Sequence, residues 1–147
     1  MTPAEQKRAA KEFVDYWKAA KGYELGETGQ FWTDFYRELL GVKNTSTYLD
    51  FERRVKGKRI DMFCEDTGVL VEQKSRGIDL DDKEKRGNWV TPYEQAKYYA
   101  DNLPYSVRPR WILTSNFDEF RIYDLEKEYP ENDYVTVELI ELPEQLH

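Results

Sequence analysis

Apolar and polar positions follow two different periods along the chain, and the change of period separates helices from strands. Large apolar side chains recur at helical spacing over residues 3–21 and again over residues 28–40, which predicts two amphipathic helices. The first is preceded by the capping box Thr2-Pro3-Ala4-Glu5, and the second is followed by Gly41, a typical helix stop. The chain is therefore expected to begin with a helical pair.

From Ser46 onward the apolar positions alternate with polar ones, which is typical of strands. One further helix is predicted from the capping box Thr91-Pro92-Tyr93-Glu94 to about Asn102, and the charged segment Ser75–Asn88 is predicted to be a loop. The pattern indicates an α/β fold, a mixed sheet with helices packed on it. The strands are predicted at residues 49–55, 59–64, 69–74, 108–115, 119–124 and 134–140.

Composition supports a single domain over residues 1–147 and excludes several classes of protein. The hydrophobic fraction is 39% and no apolar run approaches the roughly 18 residues that a membrane span needs, so we expect no membrane association. The N-terminus lacks the apolar core of a signal peptide, and a cytoplasmic location is expected. Cys64 is the only cysteine and His147 the only histidine, so Ser-His-Asp and Cys-His catalysis are excluded. Carboxylates, lysines, tyrosines or an oxygen-bound metal remain.

The net charge of −7 is distributed unevenly. Residues 53–86 carry ten Lys and Arg against eight Asp and Glu, whereas residues 118–144 carry two bases against ten acids. The middle of the chain could therefore face phosphates, although a solvated surface of mixed charge explains the same numbers equally well.

The candidate chemistry lies in a predicted hairpin over residues 59–74. A tight turn at Asp66-Thr67 places Asp61 opposite Glu72, and the period of two puts Lys74 on the same face. Two adjacent carboxylates repel each other unless a cation lies between them, and oxygen ligands suit Mg²⁺. Lys74 could then act on a water or on a phosphate charge. The opposite, apolar face of the hairpin is predicted to hold Ile60, Met62, Cys64, Val69 and Val71.

A solvent-facing strand with an ordinary Glu–Lys pair is the alternative interpretation of these residues. An E-x-K triplet is common, but three charges on a face that helices largely cover would need a reason. Asp61, followed after ten residues by Glu72-Gln73-Lys74, resembles the signature of the PD-(D/E)xK nucleases, although Ile60 stands where the motif name has proline. In the next helix, Gln95 and Tyr99 resemble the Q-x-x-x-Y element of RecB-like nucleases; a half-buried helix edge is the alternative for this pair.

A wider resemblance covers about residues 10–142. The chain is similar, in order, to the N-terminal domain of MmeI-like restriction–modification enzymes, which fuse a nuclease to an adenine methyltransferase. The similar segments are FWTDFYRELLG, YLDFERRV, RIDMFCEDTGVLVEQKSRGIDLDD, TPYEQAKYYADNLP and RPRWILTSNFDEFRIYDL. The chain contains no glycine-rich cofactor loop and no N-P-P-[YF] motif. The resemblance implies a restriction-endonuclease-like fold and an N-terminal fragment of a larger protein, whose remaining part holds the methyltransferase and target-recognition domains.

The resemblance also implies roles for individual residues. Asp61, Glu72 and the backbone carbonyl of Gln73 would bind Mg²⁺, with Mn²⁺ able to substitute, and Lys74 would position the attacking water with help from Gln95. Three weaker assignments follow. Glu27 is the best match to the ancillary metal-binding acid, and Glu24 is the alternative. Arg76 would contact the DNA backbone, unless its loop is merely solvated. Tyr99 would contact substrate.

The implied activity is Mg²⁺-dependent hydrolysis of double-stranded DNA, and cleavage of both strands suggests that two chains act together as a dimer on DNA. Two alternatives remain open from the sequence. The domain could be a catalytically silent docking or DNA-binding module, although the intact set of Asp61, Glu72 and Lys74 argues against that. It could also be a nuclease for RNA or for branched DNA.

Overall fold

Helices cover both faces of a five-stranded mixed sheet in the computed structural model, which describes residues 2–83 and 90–145. This is the α/β architecture that the hydrophobic pattern predicts. The helices are α1 (Pro3–Ala19), α2 (Glu24–Asp34), α3 (Thr45–Tyr48), α4 (Pro92–Asp101) and α5 (Leu142–Gln145). The strands are β1 (Arg54–Val55), β2 (Lys58–Arg59), β3 (Met62–Cys64), β4 (Val69–Gln73), β5 (Trp111–Ser115), β6 (Glu119–Asp124) and β7 (Val135–Glu138).

The sheet has the strand order β3-β4-β5-β6-β7, and β1 and β2 form a separate small hairpin. Only β4 and β5 run parallel among these neighbours, because α4 lies between them in the chain and carries it back across the sheet. The β3–β4 register pairs Met62 with Val71 and Phe63 with Leu70, as the sequence predicts. The hairpin that carries the candidate site is therefore confirmed in its register.

Two apolar cores lie on opposite faces of this sheet. The first joins α1 and α2 to one face and is rich in aromatic rings, with Phe31 stacked edge-on against Trp17, Trp32 and Phe117 at centroid distances of 5.0–5.1 Å. The second joins α4 to the other face, where Ala96 and Tyr99 pack with Leu70 and Ile112. Both faces of β4 are thus covered, so a charged residue on this strand is removed from water.

The predicted strand over residues 49–55 is wrong for most of its length. Its start is preceded by the short helix α3, and only Arg54–Val55 is extended and paired. The carboxylate of Asp50 accepts a hydrogen bond from the backbone N–H of Glu52 at 2.8 Å, which bends the chain, while the Asp50 backbone forms an isolated bridge with Phe63. The alternating side chains instead serve different cores, since Leu49 packs in the first and Val55 in the second.

The predicted strand over residues 59–64 is broken at Ile60 and Asp61. Ile60 donates its backbone N–H to Arg53 at 2.8 Å in the small hairpin, and its side chain packs in the second core. This corrects the prediction that Ile60 shares a face with Met62, Cys64, Val69 and Val71, which do pack together in the first core. The break matters for the site because it frees the carboxylate of Asp61 to turn toward β4.

The remaining element boundaries differ from the predictions by a few residues. Helix α2 begins at Glu24, four residues earlier than predicted, and continues into a π-helical turn at Phe35–Leu39. Within the described residues no helix is long and apolar enough to cross a membrane. Residues 84–88 of the predicted charged loop and His147 lie outside the described residues.

Candidate active site

The end of β4 presents consecutive polar side chains to opposite faces of the sheet. Glu72 and Lys74 face α4, and Gln73 faces α2. All three are buried, with 3% of Glu72 and 5% of Lys74 exposed. Burying a charged group costs free energy unless the group is paired, so two buried ionisable residues at one strand end are unusual.

Gln73 anchors the strand end from the α2 side. Its side-chain oxygen accepts a hydrogen bond from the indole N–H of Trp32 at 2.8 Å, and its amide donates to the backbone oxygens of Lys74 at 2.9 Å and Ser115 at 3.3 Å. The Gln73 side chain therefore has every polar atom engaged within the protein. Any contact of Gln73 with a metal would come from its backbone carbonyl.

Asp61 and Glu72 form a pair of carboxylates beside β4. The backbone N–H of Gln73 donates to Asp61 Oδ2 at 2.7 Å and holds the half-buried carboxylate toward the strand. Burial raises the pKa of Glu72 well above its usual range, and the charge of Asp61 together with a hydrogen bond between the two carboxyl groups raises that pKa further. Burial and the charge of Asp61 thus favour the protonated form of Glu72, and the neighbouring charge of Lys74 opposes them.

Lys74 supplies the positive charge next to this pair. Its Nζ lies 3.7 Å from Glu72 Oε2 and 3.5 Å from Gln95 Oε1 on α4. The Gln95 amide in turn donates to the Tyr99 hydroxyl at 2.8 Å. Gln95 and Tyr99 are therefore linked to Glu72 through Lys74.

Tyr99 is buried in the second core, and only its hydroxyl reaches toward the site. Burial raises the pKa of this hydroxyl, and the negative charges of Glu72 and Asp61 act in the same direction, against the hydrogen bond from Gln95. A neutral Tyr99 that orients Gln95 is the role that these contacts support; direct contact with substrate stays a prediction.

The two candidate ancillary acids lie differently in α2. Glu24 lines a cavity of about 170 Å³ together with Asp61 and Arg59, and its charge is among those that raise the pKa of Glu72. Glu27 instead accepts a hydrogen bond from the backbone N–H of Gly22 at 3.1 Å, at the start of the helix. The assignment of Glu27 to a metal stays a prediction, and the geometry favours Glu24.

The side chain of Arg76 is engaged in contacts within the protein. Its guanidinium donates to the backbone oxygens of Trp17, at 2.7 Å, and of Ala20, where α1 ends, and its Nε donates to Asp118 at 3.0 Å. A cation at a helix C-terminus stabilises the helix. These bonds show that Arg76 joins α1 to the loop after β4. They leave few of its guanidinium N–H groups available for a contact with DNA.

Three residues near the site are absent from the sequence prediction: Trp32, Ser75 and Arg59. Ser75 Oγ accepts a hydrogen bond from the Glu24 backbone N–H at 3.1 Å, and Trp32 holds Gln73. Both are contacts between distant parts of the chain, for which the sequence contains no signal. Arg59 is different, because its position two residues before Asp61 in an extended stretch was a usable signal for a shared face.

The donor set fits a hard divalent cation with few protein ligands. Among residues 2–83 and 90–145, no group of three or more His, Cys, Asp or Glu side chains is arranged to hold a metal. Asp61 and Glu72 would therefore be the side-chain ligands, and Mg²⁺ commonly binds through one or two carboxylates with waters completing its shell. Burial and the charge of Asp61 disfavour the ionised form of Glu72, and a bound cation would favour it.

Comparison with known proteins identifies the family of the chain. No curated protein and no solved structure matches it. A family model does match, namely that of the MmeI N-terminal domain, and the match extends over residues 7–147. Because this match takes in almost the whole sequence, the chain belongs to the MmeI N-terminal domain family.

Proposed function

We propose that this chain is the Mg²⁺-dependent DNA endonuclease domain of a restriction–modification protein, with an active site of the PD-(D/E)xK type. Membership of the MmeI N-terminal domain family supports a role connected with restriction–modification. The parent protein would supply the methyltransferase and target-recognition domains, and double-stranded DNA would be the substrate.

One observation carries the proposal: Asp61, Glu72 and Lys74 converge at the end of β4, buried or half-buried, where a purely structural strand would be apolar. Leu70 and Ile112 on the same face show what such positions normally hold. The pKa of Glu72, raised first by burial and then by Asp61, supports a site shaped for a cation. A solvated surface ion pair would have neither property.

Asp61 and Glu72 would hold Mg²⁺, with the backbone carbonyl of Gln73 as a further oxygen donor. When bound, Mg²⁺ supplies a Lewis acid that offsets negative charge at a phosphate and makes water more acidic. The Gln73 N–H keeps Asp61 in place, since it already donates to that carboxylate at 2.7 Å. Mn²⁺ would substitute because it prefers the same oxygen ligands.

Lys74 would act on the water and the phosphate. Its ammonium group can donate hydrogen bonds that orient an attacking water, and its charge opposes the negative charge that develops on the phosphate oxygens. Gln95 limits where Nζ can lie, because its side-chain oxygen is 3.5 Å from Nζ and its amide is held by Tyr99. Gln95 and Tyr99 would therefore be positioning residues.

A plasmid-nicking assay tests the proposal. Supercoiled plasmid is incubated with the chain and Mg²⁺ or Mn²⁺, beside Lys74→Ala and the matched control Lys11→Ala, which removes an exposed lysine on α1. We expect metal-dependent nicking by the unmodified chain and the control, and its loss in Lys74→Ala. An unmodified chain that nicks no plasmid, or that degrades RNA while it spares DNA, would contradict the proposal.

A further inference from the structure

The small hairpin of β1 and β2 concentrates positive charge on a chain whose net charge is −7. Residues 53–59 contain five Lys and Arg and no acid. Arg53 is neutralised by ion pairs with Asp50 and Glu65, both at 3.2 Å. The other four, which we call the hairpin cations, are exposed and form no ion pair with any described residue; they are Arg54, Lys56, Lys58 and Arg59.

The hairpin is a fixed part of the fold. Lys56 and Gly57 have φ angles of 53° and 80°, the positive values that a two-residue hairpin turn requires. At the base, Val55 and Ile60 are buried in the second core with Phe63 and Leu70. The hairpin cations therefore project from a base that is packed against the same core as the candidate site.

The hairpin cations also lie next to the site. Arg59 lines the cavity that contains Asp61 and Glu24, and it precedes Asp61 by two residues. Exposed cations that form no ion pair with a described residue are complementary to the charge of a nucleic-acid backbone. Arg76, the basic residue expected to contact DNA, is engaged by Asp118 and by the end of α1. The phosphate-binding role is therefore open for another group.

We propose that the β1–β2 hairpin binds the phosphate backbone of duplex DNA beside the active site, and that the hairpin cations make the main ionic contacts. This inference rests on the proposed function, because it takes the cluster of Asp61, Glu72 and Lys74 to act on a DNA phosphodiester. The contacts are to phosphates, so they hold the strand without selecting a sequence.

DNA binding without metal tests the hairpin separately from cleavage. Fluorescence anisotropy of a labelled 30-bp duplex is measured in EDTA at KCl concentrations from 25 to 200 mM. The variants are Lys56→Ala/Lys58→Ala and the matched control Lys11→Ala/Lys43→Ala, which removes two exposed lysines elsewhere. Four phosphate contacts give a slope of log K against log[salt] of about −4, and we expect about −2 after loss of the hairpin pair. The control keeps the slope of the unmodified chain.

The outcomes separate the two proposals. An unchanged slope in Lys56→Ala/Lys58→Ala, or an RNA duplex of equal length that binds more tightly than DNA, would overturn the hairpin proposal even if the chain nicks plasmid. A slope that falls by about two in a chain that never nicks plasmid would support the hairpin proposal and remove the proposed nuclease activity. All four lysines are exposed, so both variants should keep the melting temperature of the unmodified chain.

Discussion

In their ionised forms, Glu72 and Lys74 are opposite charges 3.7 Å apart in a region from which water is almost absent. Taking two such groups out of water costs several kcal/mol, which their attraction offsets only in part. Asp61 increases the cost because it places a second negative charge beside Glu72. The site thus lowers the stability of the fold, as is usual where residues are arranged for binding or catalysis.

Lys74→Ala should separate catalysis from metal binding. We expect Mn²⁺ affinity, measured by calorimetric titration, to stay nearly unchanged, because Asp61 and Glu72 remain. Cleavage should fall by roughly two to four orders of magnitude, which is typical of the loss of a positioned acid–base group. Asp61→Ala should abolish both metal binding and cleavage, since one carboxylate leaves too few protein ligands. Cleavage at the unmodified rate by Lys74→Ala would identify Lys74 as an ordinary ion-pair residue.

Glu72→Gln should change how the metal-free fold responds to pH. The pKa of Glu72 is raised above its usual value of 4.5, so the protonated form is favoured in the folded chain. Protonated Glu72 stabilises the fold fully at a pH below the pKa that Glu72 has in the unfolded chain. This stabilisation is lost as the pH rises through the higher pKa that Glu72 has in the folded chain. Melting in EDTA should therefore show Glu72→Gln gaining stability relative to the unmodified chain between pH 4 and pH 8. A difference that stays constant over this range would show that Glu72 is not protonated in the fold.

At the scale of elements, the loop after β4 is joined to the connection between α1 and α2. The Arg76 N–H donates to the Gly22 oxygen at 2.8 Å, and the Glu24 N–H donates to Ser75 Oγ at 3.1 Å. The Arg76 side chain adds its bond to Trp17 at the end of α1. These contacts bring the start of α2, and with it Glu24, to the site.

Gly22→Ala should weaken this joint. Gly22 has a φ of +74°, and a Cβ added there would lie 2.6 Å from the Arg76 Cβ, so both backbone strain and a clash oppose any side chain. We expect a loss of about 1–3 kcal/mol in the free energy of unfolding, measured by urea denaturation. Gly26→Ala is the matched control in α2: it meets nothing within 4 Å and should be neutral or stabilising by up to about 1 kcal/mol. Equal stabilities of the two variants would contradict this view of the joint.

At the scale of the molecule, the fold places opposite charges at opposite edges of the sheet. The basic hairpin leads into the edge strand β3, which follows β2 after two residues, whereas the acidic residues 118–144 include β6 and β7 at the other edge. A surface with this separation attracts DNA to one edge and repels it from the other. The charge distribution therefore gives the chain a preferred approach to a phosphate backbone.

The affinity of the chain alone for DNA should be low and steeply dependent on salt. Few cations face the DNA and the net charge is −7, so binding should be of the non-specific kind, with a dissociation constant of roughly 10⁻⁴–10⁻⁶ M at physiological salt. Anisotropy with duplexes of unrelated sequence measures both quantities. Tight binding that changes little with salt would place sequence recognition in this chain.

The local patterns of the sequence determined the elements and the geometry of the central hairpin. Thr2 and Thr91 precede helices that begin at Pro3 and Pro92, and both threonine side chains cap them. The β3–β4 register follows from alternation and from the turn before Val69. These features depend on neighbours a few residues apart, which is the range over which periodicity and capping act.

The tertiary structure decided which polar residues meet and how deeply they are buried. Alternation over residues 49–55 predicts a strand, yet packing assigns Leu49 and Val55 to different cores and leaves only two residues in a strand. The sequence favours Glu27 over Glu24 as the ancillary acid, but the bond from the Glu24 backbone N–H to Ser75, 51 residues away, brings Glu24 to the site. The sequence suggests Arg76 as a DNA contact, but in the structure its guanidinium donates to the end of α1. Such contacts join distant segments, and their free energies arise only when the whole core has assembled.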